Sequence, residues 1–82
     1  MKDCCVAILG IMVEDGAPIG EIQKTLSENC EYIIGRMGIP HCEKNVRVIS
    51  VVLDAPVDIV EELTKKFDSM PNVHAKNLYS IV

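Results

Sequence analysis

Tyr32-Ile33-Ile34-Gly35-Arg36-Met37-Gly38-Ile39, then Pro40-His41-Cys42-Glu43-Lys44-Asn45, then Val46-Arg47-Val48-Ile49-Ser50-Val51-Val52-Leu53 follow one another in the chain. They read as strand, tight turn, strand. The first strand, from about Glu31 to Ile39, is interrupted by Gly35 and Gly38 and carries Arg36. Its two parities are Tyr32, Ile34, Arg36, Gly38 and Ile33, Gly35, Met37, Ile39. The second set is apolar, so it is expected to face the core. Glycine inside a strand points to a bulge, a bend or a close backbone approach. The second strand, from about Val46 to Leu53, is apolar at both parities apart from Arg47 and Ser50, the pattern of a strand buried on both faces.

Working outward, Cys4 to Val13 repeats that doubly apolar pattern and is expected to be a second central strand. Glu14-Asp15-Gly16-Ala17-Pro18 ends it, with Gly16 giving turn freedom and Pro18 suited to a first helical turn. A helix follows from about Pro18 to Asn29, with Ile19, Ile22 and Leu26 in one apolar stripe. After Leu53, Asp54 is a candidate N-cap and Pro56 a first-turn residue of a second helix. Its stripe is Val60, Leu63, Phe67 and Met70. Val73 to about Ile81 is of mixed polarity and fits an edge strand.

The order is β-α-β-β-α-β, an α+β, ferredoxin-like sandwich: a four-stranded antiparallel sheet with two helices on one face. Right-handed crossovers put the first and third strands in the middle. Residues 1–82 read as a single domain. Two helices cover one face, yet both central strands are apolar on both. The bare face would be a patch of several hundred Å2, more than a soluble monomer usually exposes. The expectation is therefore self-association, as a dimer or tetramer, sheet to sheet or edge to edge.

Composition narrows the function classes. A net charge of −4 and pI near 5.0 make a poor phosphate binder, and three aromatic residues offer little base stacking. Direct nucleic-acid binding is not expected. No run of 18 apolar residues is present, so no membrane span is expected. The apolar run from Cys4 is better read as a strand than as a signal segment, which points to a cytoplasmic protein. Cys4, Cys5, Cys30 and Cys42 are then expected to be reduced, largely buried thiols.

Three groups of residues are candidates for chemistry. Asp15, Gly16 and Ala17, before the first helix, are a candidate ligand-binding loop, because a glycine-containing turn and a helix N-terminus can hold an anionic group. An ordinary turn is the competing reading, since Glu14 and Asp15 oppose an anion. Gly35, Arg36 and Gly38 are candidate interface residues. His41, Cys42 and His74 are the residue types a transition metal takes. Their spacing is not a metal motif. The end of the second strand and the start of the fourth are expected at opposite ends of the sheet, which leaves only a site shared between subunits. Cys4 and Cys5 alternate faces and serve as strand residues. No nucleophile-base-orienter set is present, so no catalytic residue is assigned and no enzyme activity is expected.

Ile34-Gly35-Arg36-Met37-Gly38-Ile39-Pro40, followed by Glu43-Lys44-Asn45-Val46 and the apolar run Ile49 to Leu53, resembles a known family. It is the family named for regulation of iron-only hydrogenase systems. The most specific part is arginine-x-glycine-x-proline (Arg36, Gly38, Pro40) ahead of the Glu-Lys-Asn turn. The exit Val13-Glu14-Asp15 also matches, and the likeness runs from Ala7 through Val73. The resemblance implies a short, stand-alone, ACT-like regulatory module that forms dimers or larger assemblies; a small-molecule effector and a partner protein are the partners expected of such a module. It implies no cofactor and no catalytic residue. Members are similar in shape to the ligand-binding half of the nickel-responsive repressor. That repressor's His and Cys spacing is absent here, as is its DNA-binding arm, so an effect on transcription would need a partner chain.

Overall fold

A computed structural model describes residues 4–41 and 44–81. The elements are β1 (Cys4–Glu14), α1 (Ile19–Glu28), a 3-10 turn (Cys30–Tyr32), β2 (Ile33–His41), β3 (Val46–Pro56), α2 (Val57–Asp68) and β4 (Val73–Ile81). The sheet has the order β2-β3-β1-β4 and every pairing is antiparallel. This is the expected ferredoxin-like α+β fold, with β1 and β3 at the centre.

Side-chain alternation builds the core. Cys5, Ala7, Leu9, Ile11 and Val13 of β1 are buried, as are Ile49, Val51, Leu53 and Ala55 of β3. These odd-numbered residues share one face, because Ala7 pairs with Leu53, Leu9 with Val51 and Ile11 with Ile49. Onto it pack Ile22 and Leu26 of α1 and Val60, Leu63 and Phe67 of α2, joined by Met70. Both helices therefore lie on that face. The stripe of α2 is as expected. In α1, Thr25 is buried and Ile19 is not. The Thr25 hydroxyl donates to the Glu21 carbonyl at 2.8 Å, which removes the cost of burying it.

Four local expectations are corrected. Asp54 does not cap α2. The ladder continues through Val6–Asp54 and Cys5–Ala55, because Ala55 is buried against the core, and α2 starts after Pro56 with no side-chain cap. Glu31 and Tyr32 lie in the 3-10 turn, so β2 begins at Ile33. The pairing of β2 with β3 shifts between Ile33 and Gly35, where one extra residue enters the ladder. A one-residue shift moves every later side chain to the other face. Ile33 packs against the core, but Met37 and Ile39 sit opposite Ser50 and Val48 on the side away from the helices. Finally, the described thiols are not all buried: Cys5 is, while Cys4 and Cys30 are exposed.

Candidate functional site

The second face of the sheet is the largest feature that the core does not use. Its residues line up in transverse rows through the register. Gly35, Val52, Ile8 and Leu78 form one row; Met37, Ser50, Gly10 and Lys76 the next; Ile39, Val48, Met12 and His74 a third. Asp54, Val6 and Ser80 flank the first row, and Val46 and Glu14 flank the third. Of the large apolar side chains that stand exposed, Val6, Ile8, Met12, Met37, Ile39 and Leu78 all belong to this face. Leu78 is 72% exposed and Met37 60%. No described element covers them.

The face arises from a sequence feature with a plain physical meaning. Strands β1 and β3 are apolar at both parities, and the helices can cover only one side. The bulge in β2 then adds Met37 and Ile39 to the uncovered side. This apolar surface is rimmed by Glu14, Asp54, Lys76 and His74.

The candidate loop between β1 and α1 is a turn fixed by backbone bonds. Gly16 has φ of 89°, a conformation that favours glycine. The Ala17 amide donates to the Glu14 carbonyl at 3.2 Å, the Ile19 amide to the Ala17 carbonyl at 2.9 Å, and the Glu14 amide to the Asn72 carbonyl at 2.8 Å. Asp15 and Gly16 are exposed, and Ala17 packs against the core. The amides at Ala17 and Ile19 thus serve the turn itself.

Of the β2 residues, Gly35 lies on the open face, whereas Arg36 and Gly38 pair with Val51 and Ile49 and so lie on the helix side. Arg36 is exposed. The structure brings together only part of this group.

The register corrects one statement about His41 and His74. Strands β1 and β2 run in the same direction, and β4 runs opposite to both. Consequently the end of β2 and the start of β4 lie at the same end of the sheet. The His41 backbone pairs with Val46, in the row of Glu14, and His74 pairs with Met12, two residues further in along β1. They occupy the two outer strands, roughly 14 Å apart at three inter-strand spacings. Distance across the sheet, not its length, keeps them from sharing a ligand within one chain. Cys42 lies outside the described residues.

His74 has a partner that sequence reading missed. Its Nε2 lies 2.9 Å from Glu14 Oε1, and both side chains are at least half exposed. The two residues are sixty positions apart, and only β1–β4 pairing joins them. Among the described residues, no group of three His, Cys, Asp or Glu side chains could hold a metal ion. Among the described residues, no helix is long and apolar enough to cross a membrane.

Comparison with known proteins places this geometry. A solved structure, that of the uncharacterized protein TM1266 from Thermotoga maritima, superimposes on the chain with a TM-score of 0.89. The two are 28% identical, and the match covers 94% of this chain and 98% of that one. No curated protein matches. A family model matches residues 5–77, a span that takes in both halves of the fold and the whole β2–β3 hairpin. The chain belongs to the TM1266-like family, described as "Iron-only hydrogenase system regulator, putative".

Proposed function

We propose that the chain is a small non-catalytic regulatory module of an iron-only hydrogenase system. It assembles with copies of itself and acts through protein contacts. A small-molecule effector that binds one assembly better than another shifts the population between them, which is regulation by linkage. The observation that carries this reading is the uncovered sheet face, with six large apolar side chains exposed on it. The family description supplies the system in which such a module works. The test is sedimentation velocity of the untagged protein at high micromolar concentration, followed by a thermal-shift screen of amino acids and small anions. A sedimenting dimer or tetramer, whose melting point rises with one effector class, is the expected result. A monomer at that concentration would sink the reading.

A second reading, a transition-metal site shared between subunits, is favoured by one observation: β2, which ends at His41, and the start of β4 at His74 lie at the same end of the sheet, with Glu14 beside His74. Two chains could contribute these residues to one ion. Elemental analysis of untagged protein, with His74→Ala as control, decides it. Metal at about one equivalent per shared site, lost in the variant, supports the reading; a trace amount in both ends it.

A further inference from the structure

The uncovered face has a shape that says what covers it. Its first row ends in Gly35 on one outer strand and in Leu78 on the other. One end has no side chain, and the other carries the face's most exposed large apolar one. Glycine inside a strand costs about 1 kcal/mol relative to alanine. Gly35 borders the β2 bulge, but neither its backbone nor its described neighbours demand glycine: it has no positive φ, and an added Cβ would meet no atom within 4 Å. Gly10, at the middle of the next row, is similar, with Lys76 O at 3.9 Å from its would-be Cβ. These two hollows are not made by the monomer's own packing.

The geometry points to a second copy of this chain stacked on the face, with Leu78 of each copy seated over Gly35 of the other. This rests on the self-assembly reading above and names its surface and register. A two-fold axis lying between the stacked sheets, parallel to the strands and midway between β1 and β3, exchanges the left and right ends of every row. Leu78 then lies over the partner's Gly35, Ile8 over the partner's Val52, Val48 over the partner's Met12, and Gly10 over the partner's Ser50. Knob meets hole, and small meets small. Lys76 falls over the partner's Met37, against which its methylene stem can lie while the amine reaches solvent.

Size agrees with a second copy. Four strands at about 4.8 Å spacing, over about nine residues each, give a footprint near 600 Å2, or about 1,200 Å2 for two copies, enough for a specific interface. In this register Lys76, Glu14 and Asp54 stay at the margins of the face, opposite the partner's Met37, Val46 and Val6. Face-to-face stacking of two sheets, about 10 Å apart, is a common way to cover such faces.

A size swap tests the register. Gly35→Leu fills the hole and Leu78→Ala removes the knob. Neither touches the core, and circular dichroism with thermal melting confirms that each variant folds. Each single variant is expected to weaken dimerisation about a hundredfold, since every dimer contains the contact twice and each copy accounts for about tenfold. The double variant, which exchanges knob and hole, is expected to regain most of the loss. A stable wild-type dimer indifferent to both single variants would overturn the stacking while leaving self-assembly standing. Loss in both single variants without recovery in the double would overturn the register. A monomeric wild type would overturn the stacking and the self-assembly reading together.

Discussion

Single residues show how finely the environment divides identical chemistry. Cys4 and Cys5 are neighbours in β1, yet one is exposed and the other buried. Burial pushes the Cys5 thiol above its ordinary pKa of 9.0, helped by the nearby Cys4, Asp54 and Glu61. Below about that pH both folded and unfolded chains hold the proton, so Cys5 adds no pH dependence. Above it the unfolded chain releases the proton while the folded chain keeps it, and stability falls as pH rises. In a Cys42→Ser background, a thiol reagent at neutral pH is expected to label Cys4 and Cys30 and spare Cys5, read by mass spectrometry. Equal labelling of all three would contradict the burial.

Gly16 makes a second residue-scale case. Its φ is 89°, and a Cβ there would stand 3.1 Å from Asn72 Nδ2. Gly16→Ala is expected to cost about 1–2 kcal/mol from the left-handed backbone alone, measured by denaturant unfolding. The Glu14–His74 pair is different. Both side chains are substantially exposed, so Glu14→Gln or His74→Ala is expected to change stability by less than about 1 kcal/mol.

At the scale of elements, α2 binds β4 through polar groups as well as through its apolar stripe. Asp68 Oδ1 accepts a hydrogen bond from the Ala75 amide at 3.0 Å. That amide belongs to an edge strand, so the carboxylate occupies a donor that would otherwise invite strand addition. Asn77 donates to the Thr64 hydroxyl at 2.7 Å, a further tie between the two elements. Asp68→Ala is expected to cost about 1 kcal/mol, because the released amide can find water, and to raise amide exchange at Ala75. Unchanged exchange there would show that the bond does not form in solution. The bulge in β2 matters in the same way. It lets Ile33 join the core and Met37 join the open face within a single strand.

The whole molecule is a sheet covered on one side. Replacing Ile8, which points away from the core, tests what the other side is for. Ile8→Lys is expected to leave the monomer's stability within about 1 kcal/mol of wild type and to abolish self-association at concentrations where the wild type assembles. Sedimentation velocity and thermal melting of the same sample check both halves of that statement. A collapse of the fold would mean that Ile8 supports the core after all.

Element order and the α2 stripe were legible because they depend on local periodicity: Val60, Leu63 and Phe67 announce their face whatever lies around them, whereas in α1 the stripe took in Ile19 and missed Thr25. The central position of β1 and β3 followed from their double apolarity. Asp54 misled because an Asp-x-Pro sequence is a capping signal only where the backbone leaves the sheet, and burial of Ala55 keeps it in. The faces of Met37 and Ile39 were not legible, since a bulge changes parity without changing composition. The pairing of Glu14 with His74 depends on the β1–β4 register, whereas the placement of His41 and His74 at one end of the sheet follows from strand direction alone, which the antiparallel β-α-β-β-α-β order already implies. By itself the sequence determined the fold and predicted that it would be covered on only one face, because hydrophobic pattern acts within each element. Only the tertiary structure decided which residues share the uncovered face and in what rows, because register is set between strands far apart in the chain.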